Sequence, residues 1–215
     1  LRSDDQRSQR GSRKTCRKQA QLMKFEEIQQ RVFGEILEKL PPHLTYHNAD
    51  HTRYVLEKAV FLANQNQINT SDLSLLKLAA LFHDTGFIEG AKNHEERSCE
   101  IAKSYLGQHF SEAELSKIFG MIMATKIPQN PHNELEKILA DADLEYLGTD
   151  LFEQIGESLY EELKHSIPDF SQQAWDELQL AFMEKHHFHT DYCRQNREPK
   201  KQENLLKVKK RLGLI

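Results

Sequence analysis

A chain of 215 residues, 38% hydrophobic and 29% charged, is long enough to bury one core, and none of its apolar runs nears the roughly 20 residues that span a bilayer. A net charge of -4 argues against a general nucleic-acid binder, and three scattered cysteines, Cys16, Cys99 and Cys193, against a disulfide framework or a zinc finger. With a polar opening from Leu1 to Arg10, the expectation is a cytoplasmic protein without membrane or nucleic-acid partners.

Residues 1–19 read as a basic, flexible extension carrying Arg7, Arg10, Arg13, Lys14, Arg17 and Lys18. A solvated tail is the simpler reading of such a run than an anion-binding arm. Residues 20–215 read as one all-α domain, a bundle of about eight to ten helices.

A first helix is expected over Ala20 to Leu40, ended by Pro41 and Pro42. Asn48 or Asp50 can cap a second that runs to about Asn66, with Val55, Leu56, Ala59, Val60 and Ala63 at helical spacing. A third, from about Leu73 to Asp84, is apolar nearly all round, which places it inside a bundle; Gly86 is expected to end it. Further helices fit Glu95 to Leu106, Glu112 to Ala124, Glu134 to Leu147, Asp150 to His165, Gln172 to His187 and Lys200 to Leu212. Ser111 and Glu114 have the spacing of a capping box.

Chemistry concentrates where polar groups interrupt apolar helices. His83 and Asp84 close the most hydrophobic one, where an unpaired carboxylate is costly to bury. His51 opens another helix with an apolar face, and Asp143 lies in the run Ile138, Leu139, Ala140, Ala142, Leu144. A lone histidine on such a face is ordinarily packed core, and a His-Asp pair is common by chance. Recurrence at three separate buried places favours a shared cation. Two imidazoles and two carboxylates suit one divalent ion among Mn, Fe, Co, Ni and Zn, and tolerate Mg. His186, His187 and His189 read as packing or surface residues.

His51, His83-Asp84 and a distant Asp143, in that order, resemble the HD-domain superfamily of metal-dependent phosphohydrolases, with motifs over residues 46–147. Tyr46-His47-Asn48 with His51, and Ala142-Asp143-Leu144, are similar to segments of cyclic-nucleotide phosphodiesterases; the second likeness selects Asp143 over Asp141 as ligand. The resemblance implies an all-helical fold and hydrolysis of a phosphoester or phosphoanhydride bond, foremost in a nucleotide, by metal-activated water. By that likeness His47 corresponds to the histidine that protonates the leaving oxygen; the mechanism expected from the ligand set has Asp84 or Glu95 accept the proton of the attacking water and His47 or His94 donate one to the leaving oxygen. His47 otherwise serves as a capping neighbour, and Glu95 as an ordinary helix-start carboxylate. His94 corresponds to a ligand for a second ion, a phosphate contact or a helix cap. Lys126 is the candidate phosphate-binding cation, with a solvated lysine as the alternative.

The adjacent histidine pair of cyclic-dinucleotide hydrolases is missing, as is the Glu-Asp pair of stringent-response hydrolases, so neither substrate is assigned. The stretch from Arg197 to Asn204 resembles a C-terminal feature of small members, with a cap over the site as one role. A catalytically weak metal-binding sensor or interaction module is the alternative to an enzyme.

Overall fold

A computed structural model describes residues 25–215; the expected extension, Cys16 and the first residues of the opening helix lie outside the described residues. Among the described residues the chain is helical, without a strand. Helix α1 covers 25–35, stopping short of the expected Leu40. The chain tightens into a 3-10 turn, Leu37–Lys39, and Leu40 then takes the extended backbone that a following proline favours.

Helix α2, Ala49–Gln65, starts where the Asn48 side chain accepts hydrogen bonds from the backbone N–H groups of Asp50 and His51. Helix α3, Thr70–Phe82, is capped by Asn69 and so starts a little before the expected Leu73. It is followed by α4, His94–Leu106, α5, Glu112–Met123, and α6, Glu134–Leu144. The capping box of Ser111 and Glu114 forms at the start of α5. Helices α7, Phe152–Ser166, α8, Gln172–Lys185, α9, Asp191–Asn196, and α10, Glu198–Arg211, complete the described chain. None of them is long and apolar enough to cross a membrane.

The heart of the bundle is α2 packed on both α3 and α6, with α5 against α3, α4 and α6. Leu76, Ala79, Ala80, Leu81 and Phe82 of α3 are fully buried, and Val55 and Leu62 of α2 and Ile138, Leu139 and Ala142 of α6 meet them. Burial of each large aliphatic side chain stabilises by about 1.5 to 3 kcal/mol. These three helices therefore hold their termini in fixed register, and each carries one part of the polar cluster described below.

Gly86 does not end α3. His83 is its C-cap, and Gly86 lies in a 3-10 turn, Thr85–Glu89. A Cβ on Gly86 would stand 2.0 Å from the His94 carbonyl oxygen, so its role is close approach of two backbones. The Gly86 N–H donates to the Ser98 hydroxyl at 2.9 Å, and Arg97 donates to the Gly86 carbonyl at 3.0 Å. The turn is thereby tied to α4.

Helix α6 ends at Leu144, short of the expected Leu147, and tightens into a 3-10 turn, Glu145–Gly148. The stretch 197–204 packs behind this turn. Arg197 pairs with the fully buried Glu145, which also accepts from the Tyr54 hydroxyl. Asn204 donates to the carbonyls of Leu147 and Thr149, both at 3.0 Å. None of residues 197–204 lines the cavity that holds the polar cluster, so the segment braces the end of α6 and forms no cap over that cavity.

Candidate metal centre

The Asn48 cap fixes the first turn of α2, so the His51 imidazole projects from a pinned backbone. His83 closes α3 and is fully buried; its Nδ1–H donates to the Ala80 carbonyl at 2.8 Å. That bond satisfies an otherwise orphaned helix-end carbonyl and turns Nε2 toward the interior. Asp84 starts the next turn without capping it, which leaves its carboxylate free for other partners. Asp143 comes from the last turn of α6.

These four side chains converge. His51 Nε2 lies 3.1 Å from Asp143 Oδ1 and 3.3 Å from Asp84 Oδ2. His83 Nε2 lies 3.1 Å from Asp84 Oδ2 and 3.6 Å from Asp143 Oδ1, and the two imidazole Nε2 atoms are 3.4 Å apart. Donor atoms about 2.1 Å from one ion stand roughly 3.0 to 3.4 Å apart; four of these five edges have that length and the His83–Asp143 edge is slightly longer, with Asp84 beside the two imidazoles. His51, His83 and Asp143 by themselves form a group whose donor atoms could hold one ion. Asp84 Oδ2 adds a second reason: it is buried without a hydrogen-bond partner, a costly state for a carboxylate oxygen that has no cation beside it.

The electrostatics agree. Burial opposes ionisation of Asp84, but the charge of His83 and contacts with His51, His83 and His94 outweigh it and hold the carboxyl well below its ordinary range. Burial likewise opposes ionisation of Asp143, yet hydrogen bonds with His51 and His83 bring it down to about 2. Burial disfavours the imidazolium forms of His51 and His83, and the two carboxylates overcome it and raise both. Two imidazolium and two carboxylate groups carry no net charge. A divalent ion with two neutral imidazoles and the same carboxylates carries none either, so the site can exchange two protons for one ion without burying extra charge.

The cluster sits at one end of a cavity of about 270 Å³, which Asp84, Asp143, His47, His94 and Glu95 help to line. His47 Nδ1 is 2.5 Å from Glu162 Oε1, and the other oxygen of Glu162 accepts the backbone N–H groups of Tyr46 and His47. The His47 ring stacks on Phe87 with centroids 3.9 Å apart, and Phe87 packs on His94 at 4.1 Å. His94 donates from Nδ1 to the Ala91 carbonyl at 3.0 Å and places Nε2 3.5 Å from Asp84 Oδ1 and 3.6 Å from Glu95 Oε1.

Lys126 is not brought into this cavity: its ammonium pairs with Glu96 and lines a neighbouring groove. Asp141, two residues before Asp143, is occupied elsewhere, accepting from the Thr190 hydroxyl and the backbone N–H groups of His189 and Thr190. Glu162 went unnoticed in the sequence. Its signal was a carboxylate at a buried position of an otherwise apolar face, among Leu159, Tyr160 and Leu163.

Residues 48–146 match the family model described as HD domain. No curated protein and no solved structure matches the chain. The matched segment runs from the Asn48 cap of α2 to the turn after α6 and contains His51, His83, Asp84 and Asp143. The family model, the helical fold and the converging His/Asp side chains thus agree, and residues 48–146 match the HD-domain superfamily of metal-dependent phosphohydrolases.

Proposed function

We propose that this protein hydrolyses a phosphoester bond, with a divalent ion held by His51, His83, Asp84 and Asp143. The observation that carries the reading is Asp84 Oδ2, buried without a hydrogen bond between two imidazole nitrogens at 3.1 and 3.3 Å, at the end of an open cavity. When bound there, the ion supplies charge neutralisation at phosphorus and an acidified water as nucleophile.

The residues around it divide the remaining work. Asp84 and Glu95 are the carboxylates placed to accept a proton from attacking water. His47, with Nδ1 engaged by Glu162, has Nε2 left to pass a proton to the leaving oxygen. His94, beside Asp84 and Glu95, is placed to contact a phosphate oxygen or to help hold a second ion. Phe87 packs against both rings, stacked on His47 and tilted against His94, and so supports the two histidines together.

A nucleotide is the substrate class that the resemblance to phosphodiesterases favours, so mono-, di-, tri- and cyclic nucleotides form the first assay panel. The deciding experiment is Asp84→Ala, scored for bound Mn and for phosphate release. Loss of both is expected; wild-type metal content in that variant overturns the ligand assignment. Metal-dependent melting without turnover of any phosphoester would instead make the domain a metal-binding module.

A further inference from the structure

Away from the metal centre the cavity changes character. Its wall is built by Leu144, Phe152, Leu159, Leu163, Trp175 and Met183, from α6, α7 and α8. Ile127 and Leu178 also line it and are 53% and 46% exposed, so its rim toward solvent is apolar as well.

Few polar groups line this part, and two of them are already engaged. The Gln179 amide oxygen accepts from Arg211 at 3.0 Å, and the Thr125 hydroxyl donates to the Ile122 carbonyl at 2.8 Å. No lysine or arginine lines the cavity among the described residues. The nearby cations are committed: Lys126 to Glu96, and Arg211 to Asp176 and Glu153.

A ligand that reaches the metal centre must therefore leave its organic part against hydrocarbon. A base and ribose would bury more hydrogen-bonding groups than the few polar atoms of this wall can meet, which is costly. Additional phosphates would enter a space that has no cation to meet them. An apolar group gains from every methylene that it removes from water. A preformed, dry cavity of 150 Å³ in another protein already admits a benzene ring, so about 270 Å³ has room for a short alkyl chain or a fused aromatic ring.

We propose that the substrate is the phosphate monoester of an apolar alcohol: one phosphate at the His/Asp centre and the alkyl or aryl part between α7 and α8. This rests on the phosphohydrolase reading above. The oxygen of water bonds to phosphorus, the bond from phosphorus to the ester oxygen breaks, and that oxygen takes a proton. The products are the free apolar alcohol and inorganic phosphate.

The test compares binding of methylphosphonate, butylphosphonate and octylphosphonate to the Mn-loaded full chain by calorimetry. Phosphate release is followed in parallel from octyl phosphate, 1-naphthyl phosphate, adenosine monophosphate and adenosine triphosphate. Affinity is expected to rise about tenfold or more from methyl to butyl, since each buried methylene contributes a factor of about three to four. The octyl and naphthyl esters separate an alkyl from an aryl preference, and either is expected to exceed both nucleotides in kcat/KM. Leu163→Gln is expected to remove most of the chain-length dependence. Leu178→Lys, at the exposed rim, should do so in part and serves if Leu163→Gln does not fold.

Equal affinity for the three phosphonates, or a higher kcat/KM for either nucleotide, overturns the proposal and leaves phosphoester hydrolysis standing. Chain-length-dependent binding with no ester hydrolysed supports the apolar subsite while removing the phosphohydrolase reading.

Discussion

Glu162 Oε1 lies 2.5 Å from His47 Nδ1, and the other oxygen of the same carboxylate accepts the backbone N–H groups of both Tyr46 and His47. One buried side chain of α7 thus fixes the position and the proton-bearing nitrogen of a histidine that stands before α2. Burial opposes ionisation of Glu162, but the hydrogen bond with His47 outweighs it and lowers its carboxyl below the ordinary range.

If Glu162 acts by holding His47, then Glu162→Gln should lower kcat about 10- to 100-fold, with KM and bound Mn near wild type. His47→Gln should cost at least as much, and the double variant no more than His47→Gln alone, because both changes disable one unit. Steady-state kinetics with metal analysis would show it. Additive losses, or loss of metal in Glu162→Gln, would assign Glu162 to structure only.

The ion should also stabilise the fold. Saturation at about 100 times the dissociation constant adds about 2.7 kcal/mol, which for a chain of this size is a rise in Tm of about 5 to 10 °C. Because the ion competes with protons on His51 and His83, both raised in the metal-free site, the gain should shrink as pH falls below neutrality. Asp143→Asn should lose the Mn-dependent part of the melting temperature. Differential scanning calorimetry with Mn and with a chelator, at two pH values, checks this; an unchanged Mn effect in Asp143→Asn would remove that residue from the site.

Some of this was legible in the sequence because the signals are local. A cap residue at Asn48, an apolar helix ending in His83 and Asp84, and an acidic residue inside an apolar run each follow from spacing alone. The choice of Asp143 over Asp141 needed the family resemblance, since both carboxylates lie in the same run. The structure separates them through Thr190 and His189. Nonlocal partners were not legible: nothing near Lys126 signals that Glu96 takes its charge, and nothing near His47 signals Glu162. Short helix α9 also escaped, because six residues are too few to show a period.

The brace behind α6 gives a stability prediction. Glu145 is fully buried, and Arg197 is the cation that meets it, with the Tyr54 hydroxyl as a second donor. Removing one partner of a buried pair leaves a stranded charge, so Arg197→Ala should destabilise by about 3 kcal/mol. Adding Glu145→Gln should recover part of that loss, because a neutral amide needs no counter-charge. Urea unfolding of the wild type and the two variants measures both; a loss under about 1 kcal/mol for Arg197→Ala would mean that Tyr54 alone suffices for Glu145.

The histidine after α8 predicts an acid limb in stability that owes nothing to the metal centre. His186 Nε2 is buried without a partner, and its Nδ1 lies 3.4 Å from the ammonium of Lys201, itself almost fully buried. Lys201 donates to the His186 carbonyl and pairs with Glu198 at 3.0 Å, so its charge stays beside the ring. Burial first, then the Lys201 charge, brings His186 down to about 3. An unfolded chain protonates this ring near pH 6.5, whereas the folded one does not until about pH 3. Between those values the unfolded state binds the additional proton, so stability is full above pH 6.5 and falls as the solution is acidified. The slope from this one group is at most about 1.4 kcal/mol per pH unit. His186→Phe should remove that contribution, so wild type should lose about 1 to 2 kcal/mol more than the variant between pH 7 and pH 5 in denaturant unfolding. Carboxylates that titrate in both proteins cancel in the comparison, and parallel curves would show that His186 takes up its proton in the folded state as readily as in the unfolded one.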